Sequence, residues 1–211
     1  MNTDELIRRL ATDARPARTV AHGVALSFGP TLLAALTLLV LGWGLRADVL
    51  ASFANPVTAI KPLLPALAAL AAIVGALQLA RPDGSAKGAM TPLLLLAGTA
   101  AGLVVLDLAR TPAADWGEAI QGRTLVVCLL SIPALAVLPT LALLVALRRG
   151  ASLAPARSGA LAGLGGGAAA AALYALHCDE DAPLFFVTWY GVAIVATALL
   201  GAALGRRLLR W

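Results

Sequence analysis

Six apolar runs constrain this chain more than any other feature. They fall at 24–44, 62–80, 89–109, 122–147, 158–176 and 184–204. Each is close to the length of about 20 residues that an α-helix needs to cross the hydrocarbon core of a bilayer. Backbone in hydrocarbon must satisfy its own hydrogen bonds, which for runs of this length means helix. The expected fold is therefore all-α, a polytopic membrane protein with six transmembrane helices. The composition agrees: 60% of the residues are hydrophobic and 13% charged, against about 45–50% and about 25% in soluble domains. No polar block is large enough to form a separate soluble domain. The polar stretch ahead of the first run also argues against a signal peptide.

The links between runs are short: a loop near 45–61, RPDGSAKG at 81–88, a loop near 110–121, RRGASLAPAR at 148–157 and HCDEDAP at 177–183. Sidedness follows from the basic residues. With both termini in the cytoplasm, that side holds Arg8, Arg9, Arg15, Arg18, Arg81, Lys87, Arg148, Arg149, Arg157, Arg206, Arg207 and Arg210, twelve of sixteen. Only Arg46, Lys61, Arg110 and Arg123 fall on the other. The positive-inside rule selects this orientation. The chain then divides into a cytoplasmic N-terminal arm (1–23), the six-helix transmembrane domain (24–204) and a basic cytoplasmic tail (205–211).

The arm begins with a short amphipathic helix. Asn2 or Thr3 can cap it, and Asp4 and Glu5 suit its first turn. Leu6, Ile7, Leu10, Ala11 and Ala14 share one face opposite Arg8, Arg9 and Asp13, and Pro16 is the expected end. A helix this short needs a membrane surface or a partner to lean on. Glycines recur every fourth residue at Gly159, Gly163 and Gly167, at Gly98 and Gly102, and at Gly201 and Gly205, a spacing that lets helices approach closely in lipid. Packing within the bundle is the expected use. Pro133 and Pro139 interrupt the fourth run.

The stretch YALHCDEDAPLFFVTWY at 174–190 gathers the polar chemistry. Asp179, Glu180 and Asp181 are too costly for hydrocarbon, so they are expected in a short outward-facing hairpin, as a solvated turn or a lure for cations. His177 and Cys178 stand at its rim. Cys128 lies about a turn and a half into the fourth run, counted from its outer end. Both thiols therefore share the outer side. An oxidising compartment permits a disulfide there, and thiolates beside an imidazole favour a soft metal ion; two unrelated small residues at helix ends is the plainer account. Cys128, Cys178 and His177 are the candidate sensing or metal-binding residues. An ion pair is expected between Asp107 and Arg110, and interfacial anchoring for Trp189 and Tyr190. There is no P-loop, HExxH, CxxC or nucleophile elbow, so no catalytic residue is assigned and the chain reads as no enzyme.

The chain resembles the NrsF-type membrane anti-sigma factors. The resemblance is carried by TDELIRRLATDARPAR at 3–18, CLLSIPAL at 128–135, LRRGA at 147–151 and GALAGLGGGAAAAALYALHCDEDAPLFFVTWY at 159–190, with its HC-x-ED-x-P-x-F-x₃-WY pattern. It implies a multi-pass protein of the bacterial inner membrane that holds an extracytoplasmic-function sigma factor and releases it on periplasmic stress. Heavy metals would be one class of trigger, and the two periplasm-facing cysteines, here Cys128 and Cys178, would be central to the response. Leu6, Ile7 and Leu10 are then the expected anchors for the partner, with Arg8, Arg9 and Asp13 as charged rim. No obligatory cofactor is implied, only a transient soft metal ion, and no direct contact with nucleic acid. A small permease or metal exporter is the alternative, yet mid-helix positions are almost uniformly apolar. A quinone-linked thiol oxidase usually needs two redox pairs, and this chain has two cysteines.

Overall fold

The computed structural model describes residues 2–13 and 19–210, and for residues 9–13 the backbone alone. Among the described residues the fold is helical, with no strand. The helices are α1 (Thr3–Asp13), α2 (Val20–Gly42), α3 (Val49–Ser52), α4 (Pro56–Leu79), α5 (Lys87–Arg110), α6 (Trp116–Gln121), α7 (Leu125–Leu147), α8 (Pro155–Tyr174) and α9 (Pro183–Leu208), with a 3₁₀ turn at Ala113–Asp115. The helix ends show the expected chemistry. Thr19 accepts from the backbone of His22 to start α2, Asn55 accepts from Val57 to start α4, and Pro56, Pro155 and Pro183 open α4, α8 and α9. The helix α7 continues through Pro133 and Pro139.

Five helices, α2, α4, α5, α7 and α9, are long and apolar enough to cross a membrane. The helix α8 is not among them, and its place in the bundle explains why. It packs on α4, α7 and α9, and also touches α2. Most of its residues from Ser158 to Ala171 are buried, so it shows little surface outside the bundle. Its glycines and alanines serve close approach at the expense of hydropathy. Around it, α2 lies on α7, and α5 lies on α4 and α9 as the outlying helix.

The glycine repeat joins α8 to α9. A Cβ on Gly159 would strike the Gly201 carbonyl and lie 2.7 Å from Gly205 Cα, and one on Gly201 would lie 2.8 Å from Gly163 Cα. Backbone therefore meets backbone along this seam, as small-residue repeats allow. Gly98 and Gly102 share the spacing and not the role: a Cβ on either meets nothing within 4 Å.

The arm helix forms, with Leu6 41% and Ile7 59% exposed, so its apolar face is not covered by the bundle. The side chains of Arg9, Leu10 and Asp13, and the helix end expected at Pro16, lie outside the described residues.

Candidate functional site

The six long helices alternate in direction, which gathers the ends of α2, α4, α5, α7, α8 and α9 around the 175–182 hairpin. The helix α8 stops at Tyr174, whose carbonyl accepts from both His177 and Cys178 N–H, at 3.0 and 3.1 Å. The carbonyls beyond it have no helix to receive them, and basic side chains from remote segments do so instead. Lys61, in the second turn of α4, donates to the Cys178 carbonyl at 2.7 Å, the Glu180 carbonyl at 2.8 Å and Asp181 Oδ1 at 3.1 Å. Those three acceptors match the three N–H bonds of an ammonium, and they make it tolerable that the Lys61 side chain has no exposed surface.

Arg46, from the α2–α3 link, forks onto Asp181 with two bonds of 2.8 Å and reaches the Cys178 carbonyl at 3.3 Å. Its other edge pairs with Asp48 at 2.7 and 3.0 Å. Planar two-bond pairing of this kind is among the stronger charge-assisted contacts. Arg123, just before α7, closes the third side. Its backbone N–H donates to Glu180 Oε1 at 2.9 Å, and its guanidinium reaches Glu180 and Asp179, each at 3.2 Å. Gly122 makes this approach feasible, because it adopts φ 52° and a Cβ there would strike the Phe185 ring. We call this arrangement the latch. Three cations from three segments hold three successive acids and the carbonyl of Cys178.

Burial alone would push the Asp181 carboxyl up, but hydrogen bonds and charge from Arg46 and Lys61 outweigh it and hold it below its ordinary value. The hydrogen bonds to Asp181 and Asp48 raise the Arg46 guanidinium further above its ordinary range. Asp48 is lowered by its bond to Arg46, and Arg123 is raised by Glu180.

Beneath the latch lie the thiols. Cys128 is fully buried and Cys178 nearly so, both unoxidised. They share one apolar cluster with Tyr174, Phe185, Phe186 and Tyr190. Tyr190 packs edge-on to Tyr174 at 6.0 Å between ring centroids, and its buried hydroxyl faces the Cys178 thiol. The imidazole of His177 packs against the Tyr174 ring, 5.5 Å between centroids, and its Nδ1 lies 3.1 Å from the Gly44 carbonyl, which can only accept, so the proton sits on Nδ1. Among the described residues, no three His, Cys, Asp or Glu groups gather closely enough to hold a metal ion.

Several expectations change here. The acidic triplet is not a free solvated turn, since Glu180 and Asp181 keep only 16% and 31% of their side-chain surface. The cysteines are covered and not rim-exposed. Asp107 does not pair with Arg110; it accepts from the Leu184 N–H at 2.9 Å, capping α9 where Ala182 offers no side-chain oxygen. Tyr190 is core and no interfacial anchor, while Trp189 donates to the Ile120 carbonyl at 2.7 Å and ties α9 to α6. Lys61, read as a loop cation, is the residue that sequence reasoning missed. An ionisable group inside an apolar helix is by default a candidate functional residue, and the helical run from Pro56 onward was the available signal.

No solved structure matches this chain. The sequence profile described as negative regulator of sigma F (NrsF) matches residues 10–211. A relative named Anti-sigma-F factor NrsF, from Caulobacter vibrioides (strain NA1000 / CB15N), is 35% identical over 216 residues, with both chains covered in full. A second, from Azospira oryzae and named Probable anti-sigma-F factor NrsF, is 28% identical over 221 residues, again with full coverage of both. The family is one of regulators and not of enzymes. A helical bundle with a latched thiol pair at one end, matched along nearly its whole length, belongs to the NrsF family of negative regulators of sigma F.

Proposed function

We propose that this chain is an anti-sigma factor of the bacterial inner membrane. It crosses the bilayer six times, with α8 as the sixth and innermost span, and both termini face the cytoplasm. Residues 1–23 form a cytoplasmic arm, 24–204 the membrane domain and 205–211 a cytoplasmic tail. The inner side holds a sigma factor of the extracytoplasmic-function type, with Leu6, Ile7 and Leu10 as apolar anchors and Arg8, Arg9 and Asp13 as charged rim. Release follows when Cys128 and Cys178 react with a soft metal ion or are joined by oxidation.

One observation carries this reading: two thiols share a single apolar cluster at the end opposite the basic loops, with the backbone of one of them held by the latch. Soft ions prefer thiolates, and the outer compartment permits disulfides. Either reaction must displace packed groups around Cys178, and so disturbs the latch. His177 is the nearest nitrogen in sequence that can join a metal once the hairpin moves.

The test is a sigma-dependent reporter in cells carrying Cys128→Ser, Cys178→Ser or both. Each single change should abolish the response to cadmium-class metals, and the pair should do no more than one. A full response in the double variant would remove the thiols from the mechanism while leaving the anti-sigma role to be judged by basal repression. Reporter fusions at 81–88 and 148–157 test the sidedness separately.

A further inference from the structure

Cations at the two ends of the bundle are in opposite situations. At the latch, Arg46, Lys61 and Arg123 are all paired. At the other end, Lys87 and Arg157 are exposed and carry no ion pair among the described residues. They stand at a groove of about 560 Å³ between the start of α5 and the start of α8, closed by the last turn of α4. Its walls include Leu79, Met90, Ala160 and Leu161. The polarity of the groove runs along the helix axes. Lys87 and Arg157 sit in the first turns. With about 1.5 Å of rise per residue, Met90 lies about 4.5 Å below the start of α5 and Leu161 about 9 Å below that of α8.

We propose that this groove binds one anionic glycerophospholipid, with its phosphate between Lys87 and Arg157 and an acyl chain along Met90, Ala160 and Leu161. Charge complementarity selects the ligand. A free phosphate or an acidic peptide would use the cations and leave the apolar slot unfilled, and a zwitterionic lipid would bring a second cation to a cationic mouth. Basic pockets between membrane helices at the cytoplasmic side are a recurring means of holding anionic headgroups. The site rests on the reading of the bundle as membrane-embedded, and on neither the sigma partner nor the thiols.

Native mass spectrometry of the full chain in detergent tests it, with dioleoyl phosphatidylglycerol and dioleoyl phosphatidylcholine as probes. The wild type should retain one phosphatidylglycerol per chain in preference to phosphatidylcholine, by on the order of tenfold. Lys87→Gln with Arg157→Gln should remove the preference, and Arg206→Gln with Arg207→Gln should keep it. Met90→Trp fills the slot without touching a charge and should also weaken retention. Equal retention of both lipids by the wild type overturns the proposal. So does equal loss in the two Gln pairs, which marks diffuse attraction to a basic surface, or undiminished binding to Met90→Trp. Displacement by inorganic phosphate would mark a phosphate site without a chain and overturn it as well. Circular dichroism of each variant separates these results from misfolding. Reporter fusions placing 81–88 outside would contradict the sidedness of the bundle and leave a positive lipid result standing.

Discussion

Lys61→Met is the most informative single change at the latch. Methionine keeps the length and the apolar stem and removes the ammonium. Three acceptors are affected unequally. The Cys178 carbonyl retains Arg46 at 3.3 Å and Asp181 retains its two-bond pairing with Arg46, whereas the Glu180 carbonyl loses its side-chain donor. An unmet buried acceptor costs about 1–3 kcal/mol. Breaking a fully buried ion pair costs about 3–5 kcal/mol, and the remaining exposure of Asp181, 31% of its side chain, together with Arg46, reduces that share. The latched state should therefore lose about 2–4 kcal/mol relative to an open hairpin, because the orphaned groups regain water when it opens. At about 1.4 kcal/mol per tenfold, the open population rises by roughly 30- to 700-fold. The assay is labelling of Cys178 in intact cells by a membrane-impermeant maleimide, read beside a sigma-dependent reporter. Labelling should accelerate and the reporter should rise without added metal. Labelling at the wild-type rate, with the protein present at normal level, would refute the claim that Lys61 holds the hairpin shut. Faster labelling with unchanged repression would keep the latch and break its link to the partner.

The lowered carboxyl of Asp181 fixes the pH behaviour. A group whose folded pKa is depressed gives stability that is complete above its unfolded value of about 3.9 and is lost as pH falls through the folded one. Tryptophan fluorescence of the purified protein should thus stay constant from pH 7 to about 5 and change only below about 4. Gly163→Leu should prevent α8 from seating on α9, at a cost of about 1–3 kcal/mol or more from overpacking, while Gly98→Leu should be neutral; thermal unfolding in detergent separates the two. Leu6→Asp with Leu10→Asp should free the sigma factor and leave this chain in the membrane fraction, as read by co-purification.

Periodicity and composition were enough for α2, α4, α5, α7 and α9, the five helices long and apolar enough to cross a membrane. They were less informative for α8. Its Gly165–Gly167 run adds little hydropathy, and only the packing shows that residues Gly165–Ala171 form the buried centre. The seam was half legible. Spacing identified Gly159, Gly163, Gly201 and Gly205, and the same spacing at Gly98 and Gly102 faces open space. The latch was not legible at all as a unit. Each cation was visible, as was the acidic triplet, but Lys61 and Asp181 are 120 residues apart and no local rule pairs them. Asp107 shows the same limit. Its neighbour Arg110 was the obvious partner by helical spacing, and a backbone N–H on another helix took its place.

On the proposed reading, a reaction at the thiols must be felt at the far end of the bundle, and the packing supplies a route. Cys128 lies in the first turn of α7, and Cys178 follows the last turn of α8. These helices pack on each other, and the 148–154 link joins them at the far end. That link is held firmly. The Ala151 N–H donates to the Ala80 carbonyl at 2.7 Å, the buried Ser152 and Ser158 hydroxyls bond at 2.7 Å, and a Cβ on Gly150 would lie 2.8 Å from Ala80 Cβ. A change in tilt between α7 and α8 therefore cannot be absorbed by a slack turn and is passed to the end of α4 and to the basic loops. The coupling required is small. A tenfold change in sigma binding needs about 1.4 kcal/mol, less than the 2–4 kcal/mol by which Lys61 is reckoned to favour the latched state. Weakening the far-end clamp should then separate the two events. Ser158→Ala removes the buried hydroxyl pair, and it should leave thiol labelling at the wild-type rate while reducing the sigma response to metal. A variant that kept the full response would show that the signal does not pass through this link.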